Sequence, residues 1–108
     1  APQFQARLAK FRDHPMVGEA RGMGLIGAVE LVSNKTRKSP FEVPGKVGGQ
    51  VLNFCHANGL ICRAIGDVIA FCPPLIITSE QIDELFDKFE KAMSQALDWA
   101  KKEGVLID

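Results

Sequence analysis

The sequence is short of the features that announce most chemistries. It has no net charge, because thirteen Lys and Arg balance thirteen Asp and Glu over 108 residues. That balance removes the electrostatic footprint of a nucleic-acid or anionic-membrane binder. No apolar run approaches the length that spans a bilayer, and the first residues lack the basic-then-apolar layout of a signal peptide. Cys55, Cys62 and Cys72 contain no Cys-x-x-Cys pair, and only His14 and His56 could join them as ligands. Neither a zinc site nor a disulfide framework is expected. Apolar neighbours flank each cysteine, so all three read as small reduced core residues, and the cytoplasm is the expected compartment. With 46% hydrophobic residues there is apolar material for one domain with a modest core, not for two.

What is present is organised around Gly59 to Thr78. Between Leu60 and Ile77 the only charged side chains are Arg63 and Asp67. Gly66-Asp67 divides this window into two apolar runs rich in Ile and Val, the pattern of a hairpin with glycine at the first turn position. Arg63 is expected near the end of the first strand. A guanidinium in so apolar a setting needs an anion. Its planar fork suits a substrate carboxylate, which makes Arg63 a candidate anion clamp. A structural ion pair or a snorkelling side chain would satisfy the same residue, and the window alone does not separate the two.

Phe4, Leu8 and Phe11 recur at helical spacing, and Asp13-His14-Pro15 should end that helix. It starts almost at residue one without a clear cap, as the tail of a longer helix in a parent protein would. Gly22-Met23-Gly24-Leu25-Ile26-Gly27 matches G-x-G-x-x-G in form only. A dinucleotide fingerprint follows a strand and opens a helix, whereas here a charged turn precedes the glycines and Leu25 to Val32 continues as a strand. The glycines are read as a tight turn where backbones approach closely. Both faces of the strand are largely apolar, which suits a covered sheet. Ser33 to Pro44 is a surface loop whose basic cluster, Lys35, Arg37 and Lys38, is expected to be solvated.

A second helix should begin near Pro44 and end at Asn58-Gly59, with Leu60 packing back near Cys55 in a Schellman arrangement. Pro73-Pro74 should stop the hairpin ladder. Thr78-Ser79-Glu80-Gln81 is a capping box for a long helix whose stripe runs from Ile82 through Phe86, Phe89 and Met93 to Ala100, closed by Gly104. Its acidic residues are expected to form a solvated face. The order is helix, strand, loop, helix, two strands, long helix: an α+β layer with helices against a small, mostly antiparallel sheet.

Two motifs resemble a known family. Val17-Gly18-Glu19-Ala20-Arg21-Gly22-Met23-Gly24-Leu25-Ile26-Gly27-Ala28-Val29-Glu30-Leu31 resembles the opening of the C-terminal small domain of class III pyridoxal-phosphate aminotransferases. Gly59 through Arg63 to Cys72-Pro73-Pro74-Leu75 and Thr78 is similar to the omega-amino acid:pyruvate transaminase branch. The resemblance implies that residues 1–108 form that single small domain. It also implies that Arg63 binds the substrate carboxylate, swinging aside when a bulky substituent takes the same pocket. The full-length enzyme would then be a homodimer using pyridoxal 5'-phosphate to move an amino group from an amine or omega-amino acid to a keto acid such as pyruvate.

Family members are much longer, with the catalytic lysine and the cofactor-binding residues in a large domain that precedes this region. None of the eight lysines here sits in an apolar setting that would lower an amine's pKa. The expectation is therefore a fragment with no catalytic or cofactor-binding residue of its own. The competing reading is a stand-alone α+β interaction module, because fold does not fix function.

Overall fold

Phe4, Leu8 and Phe11 lie on the inner side of α1 (Pro2–Lys10) and the 3₁₀ turn (Phe11–Asp13) that continues it. The computed structural model describes residues 2–73 and 76–106. The Pro73-Pro74 stop and the Pro74-Leu75 part of the second motif thus fall partly outside the described residues. The chain next forms a hairpin of β1 (Val17–Met23) and β2 (Ile26–Leu31), joined through Gly24-Leu25. β1 corrects the sequence expectation of a turn before the glycines. The alternation that would have marked it is broken by a register irregularity between Val17 and Glu19.

Gly22 and Gly27 are cross-strand partners, and they explain the glycine pattern. A Cβ on Gly22 would stand 2.2 Å from the Ile26 carbonyl oxygen, and one on Gly27 would stand 2.8 Å from Leu8 Cδ2. The missing side chains let α1 lie close on the sheet, so the close approach expected from the sequence is present.

After the loop comes α2 (Lys46–Ala57), followed by β3 (Arg63–Ile65), β4 (Val68–Phe71) and the long α3 (Ser79–Glu103). The four strands form one antiparallel sheet in the order β1-β2-β4-β3. The end of α2 is a full Schellman motif, in which Leu60 N donates to Cys55 O at 2.9 Å and Gly59 N to His56 O at 3.0 Å. The capping box also forms: Gln81 N donates to Thr78 Oγ1 at 3.1 Å, and Thr78 N donates to Gln81 Oε1 at 2.9 Å.

The three helices cover one face of the sheet. Val17, Ala20, Val29, Leu31, Ile69 and Phe71 point inward from the strands and join Phe86, Phe89, Ala92, Met93, Ala96 and Ala100 of α3. Phe89 sits at the centre, with ring centroids 4.8 Å from both Phe71 and Phe11. The opposite face is open among the described residues. Met23, Ile26 and Ile65 there are 83%, 61% and 65% exposed. The covering of both faces expected from the sequence is seen only in part among the described residues: Ile26 on the second face is exposed, whereas Val32 beyond the end of the same strand is buried.

Two charged groups expected to be solvated hold elements together. Lys35 Nζ donates to the carbonyls of Arg12 and His14, which anchors the loop to the end of the 3₁₀ turn. Arg7 reaches from α1 to α3 and donates to Asp83 at 2.9 Å and Asp87 at 2.8 Å. Part of the acidic face of α3 is thus an inter-helix contact.

Candidate functional site

The open face of the sheet is set by register. Arg63 pairs with Ala70, Ala70 with Ala28, and Ala28 with Arg21, so these four residues form one row across all four strands. Side chains in one row stand on the same face. The inward neighbours Ala64, Ile69 and Val29 belong to the core or pack against it, so the row lies on the face away from the helices. Arg63 opens β3; it does not close the strand, as the sequence had suggested.

The two arginines of this row differ in their partners. Arg21 Nη1 donates to Glu19 at 3.2 Å and to Glu30 at 3.4 Å. Arg63 is exposed and forms no ion pair or side-chain hydrogen bond among the described residues. Three strand spacings, about 14 Å, separate the two backbones. Asp67, the other charged residue of the window, does not reach back to Arg63. Its carboxylate accepts from Gly45 N at 3.1 Å and Gly48 N at 2.9 Å, capping the N-terminus of α2. The hairpin therefore directs its one anion into the fold and its one cation away from it.

Beside β3 lies a groove of about 790 Å³ lined by Ile61, Cys72, Ile76, Glu84 and Lys88, among others. Ile61 and Arg63 lie two residues apart, and both are exposed; Leu60, Cys62 and Ala64 alternate with them and turn inward. Arg63 itself does not line this groove; it projects from the open sheet face, two residues beyond Ile61 and two before the exposed Ile65. A planar cation in that position can hold a carboxylate in two parallel hydrogen bonds while an alkyl or aromatic body rests on apolar surface.

The remaining titratable groups divide between structure and solvent. His56 is exposed. Nδ1 of His14 accepts from Met16 N at 3.0 Å, and burial holds His14 below the ordinary imidazole value, with Lys35 adding to the depression and a backbone contact at Met93 opposing it. Cys55 and Cys62 are buried as expected, whereas Cys72 is exposed in the groove. Among the described residues no group of three His, Cys, Asp or Glu side chains could hold a metal ion. No helix among them is long and apolar enough to cross a membrane.

Pyridoxal phosphate, which the sequence resemblance implies for the full-length enzyme, needs an amine in a dry setting and backbone donors for its phosphate. Seven of the lysines are exposed, and the eighth, half-buried Lys88, is paired with Glu84 at 2.8 Å. The free amides at the start of α2 are taken by Asp67, and those at the start of α3 are capped by Thr78. The residues present here do not fit the cofactor.

Known proteins share this sequence and fold. The family model described as "Aminotransferase class-III" matches residues 2–93. A putrescine–pyruvate aminotransferase from Pseudomonas aeruginosa is 46% identical over 95 residues, covering 88% of this chain and 21% of the relative. A mitochondrial gamma-aminobutyrate transaminase 1 from Solanum lycopersicum is 39% identical over 95 residues, or 88% of this chain and 18% of that protein. Among solved structures, the omega transaminase from Pseudomonas jessenii in complex with PMP superposes with a TM-score of 0.88 at 38% identity, covering 93% of this chain and 22% of its own. The PMP-bound aminotransferase from Vibrio fluvialis gives a TM-score of 0.86 at 42% identity, with coverages of 91% and 22%. The chain therefore spans about a fifth of the length of these relatives, and on the match over residues 2–93 it belongs to the class III aminotransferases.

Proposed function

We propose that this chain is the C-terminal, substrate-binding domain of a longer transaminase that moves an amino group from an amine or omega-amino acid to a keto acid such as pyruvate. Arg63 is the residue that holds the carboxylate of amino-acid donors and keto-acid acceptors. The observation that carries this reading is the placement of Arg63: it is held on a regular strand, faces away from the core and has no anion among the described residues. A structural arginine would have its partner within the fold, as Arg7 and Arg21 have. The relatives named for putrescine and pyruvate and for gamma-aminobutyrate support a substrate pair of amine or omega-amino acid with keto acid.

The cofactor of the full-length enzyme is pyridoxal phosphate, a reading supported by the PMP-bound neighbours. It is held by residues outside this chain and supplies the amino-group chemistry. This chain positions the substrate. The exposed Met23, Ile26 and Ile65 on the open sheet face support a segment that packs against more protein, as in a homodimeric enzyme.

The test compares two donors in the full-length enzyme, one amine without a carboxylate and one omega-amino acid. Arg63→Ala should slow the single-turnover reaction of the carboxylate-bearing donor and leave the plain amine much less affected. Equal losses for both donors would assign Arg63 to structure and remove the carboxylate-clamp reading.

A further inference from the structure

β3 is three residues long and lies at the edge of the sheet, with β4 as its one strand neighbour among the described residues. A short edge strand is weakly restrained, because its outer row of backbone groups has no partner strand. Arg63 stands on that strand, so what fixes it must come largely from outside the ladder.

Both ends of the segment are tied to α2. At the entrance Leu60 N donates to Cys55 O at 2.9 Å, in the last turn of the helix. At the exit the Asp67 carboxylate accepts Gly48 N at 2.9 Å through Oδ1 and Gly45 N at 3.1 Å through Oδ2, at the start of the same helix. The Asp67 carbonyl also accepts Leu31 N at 2.8 Å, which ties the turn to the end of β2. The segment from Leu60 to Asp67 is therefore strung along α2 between two tethers. Between them Cys62 and Ala64 turn towards the core and Arg63 turns outward. The first tether is backbone to backbone, whereas the second hangs on one side chain, four residues beyond Arg63.

We infer that Asp67 is a positioning residue for substrate binding: by holding the turn between β3 and β4 on the N-terminus of α2, it sets where the Arg63 guanidinium meets the substrate carboxylate. The inference rests on the reading of Arg63 as the carboxylate-binding residue. Asp67 itself touches no substrate, because both of its carboxylate oxygens are engaged by helix amides. Two parallel hydrogen bonds fix both the distance and the plane of a guanidinium, so the pair tolerates little displacement. A misplacement of about 1 Å caused by a change far from the chemistry can cost about 100-fold. With the second tether cut, the β3 segment is held to α2 by the Schellman end alone, and Arg63 shifts with the strand. A donor without a carboxylate makes no use of the contact.

The test uses the full-length enzyme with an omega-amino acid and a plain amine as donors, and reads the ratio of their kcat/KM values. Asp67→Ala should lower that ratio about tenfold, mainly through a higher KM for the omega-amino acid. Asp67→Asn keeps one acceptor oxygen for two N–H groups and should fall between the alanine variant and wild type. In an Arg63→Ala background, Asp67→Ala should leave the ratio where Arg63→Ala alone puts it, because Asp67 acts through Arg63. A loss shared equally by both donors in Asp67→Ala would make Asp67 a structural cap and overturn the inference. A further fall of the ratio in the double variant would overturn it too, since Asp67 would then act by another route. Arg63→Ala separates this inference from the reading beneath it. A ratio unchanged by Arg63→Ala refutes carboxylate binding by Arg63 itself, whereas a ratio that falls in Arg63→Ala and not in Asp67→Ala refutes only the positioning role. If Asp67→Ala fails to fold, Asp67→Asn makes the same comparison.

Discussion

Asp67, in the turn between β3 and β4, accepts the backbone N–H of Gly48 at 2.9 Å and so caps a helix that begins 21 residues before it in the chain. The residue at the N-cap position, Gly45, has no side chain to cap with, and Asp67 takes its place. Gly48 makes the approach possible, because a Cβ there would stand 2.1 Å from the Gly66 carbonyl oxygen. One contact fixes α2 to the hairpin that carries Arg63.

The first prediction follows from that cap. Asp67→Ala removes an acceptor from two helix N–H groups and should cost about 1–2 kcal/mol, in the range for lost N-caps. Asn at the same position keeps an acceptor oxygen and should lose less. Urea unfolding of the three proteins checks this, and an unchanged midpoint for the alanine variant would remove the cap from the account.

The second concerns Arg7, which bridges Asp83 and Asp87. The two carboxylate side chains are 51% and 70% exposed, so solvent screens both pairs. Arg7→Met, which removes the guanidinium from over the Phe86 ring as well as both pairs, should cost about 1–2 kcal/mol. The difference from wild type should shrink as salt is raised. A loss that salt does not touch would point to packing instead.

The third is a pH dependence at His14. Its folded pKa lies below the ordinary 6.5, with burial the leading cause. Above the unfolded value both states are neutral and His14 contributes no slope. As pH falls below that value the unfolded chain takes up a proton that the folded chain resists, so stability is lost until the folded pKa is passed. His14→Gln should flatten this part of the profile. An NMR titration that placed His14 above 6.5 would reverse the sign and exclude the account.

The helices were legible in the sequence because their determinants are local. The Phe4–Leu8–Phe11 spacing, the Thr78/Gln81 capping box and the Cys55–Gly59–Leu60 Schellman signal each lie within a few residues, and all appear in the structure. β1 was missed because its pattern is interrupted at Gly18-Glu19 and carries few large side chains. The roles of Asp67, Lys35 and Arg7 could not be read for a different reason. Their partners lie 19 to 22, 21 to 23 and 76 to 80 residues away, and hydrophobic periodicity carries no information about such pairs. Arg63 was identified as the unusual residue of its window, but that Asp67 leaves it without an anion is a fact of the fold.

The fourth prediction tests the core. Phe89 is fully buried, with Phe71 and Phe11 against its ring. Phe89→Ala should cost about 3–5 kcal/mol, combining lost transfer energy with a cavity that helix and sheet cannot both close. A melting temperature unaffected by the change would move Phe89 out of the core.

The last prediction concerns the chemistry of the Arg63 contact in the full-length enzyme. A bidentate, charge-assisted pair contributes several times the roughly 1 kcal/mol of a neutral hydrogen bond. Arg63→Ala should therefore lower kcat/KM for pyruvate by about two orders of magnitude or more, at about 1.4 kcal/mol per tenfold. Arg63→Lys keeps the charge and most of the reach but loses the planar fork, so it should recover only part of the loss. Neither change touches the core, since Arg63 projects from the open face, and thermal unfolding of both variants should match wild type. Full recovery by lysine would mean that a point charge is sufficient and that the fork plays no part. A fall in stability that tracks the fall in activity would return Arg63 to a structural role.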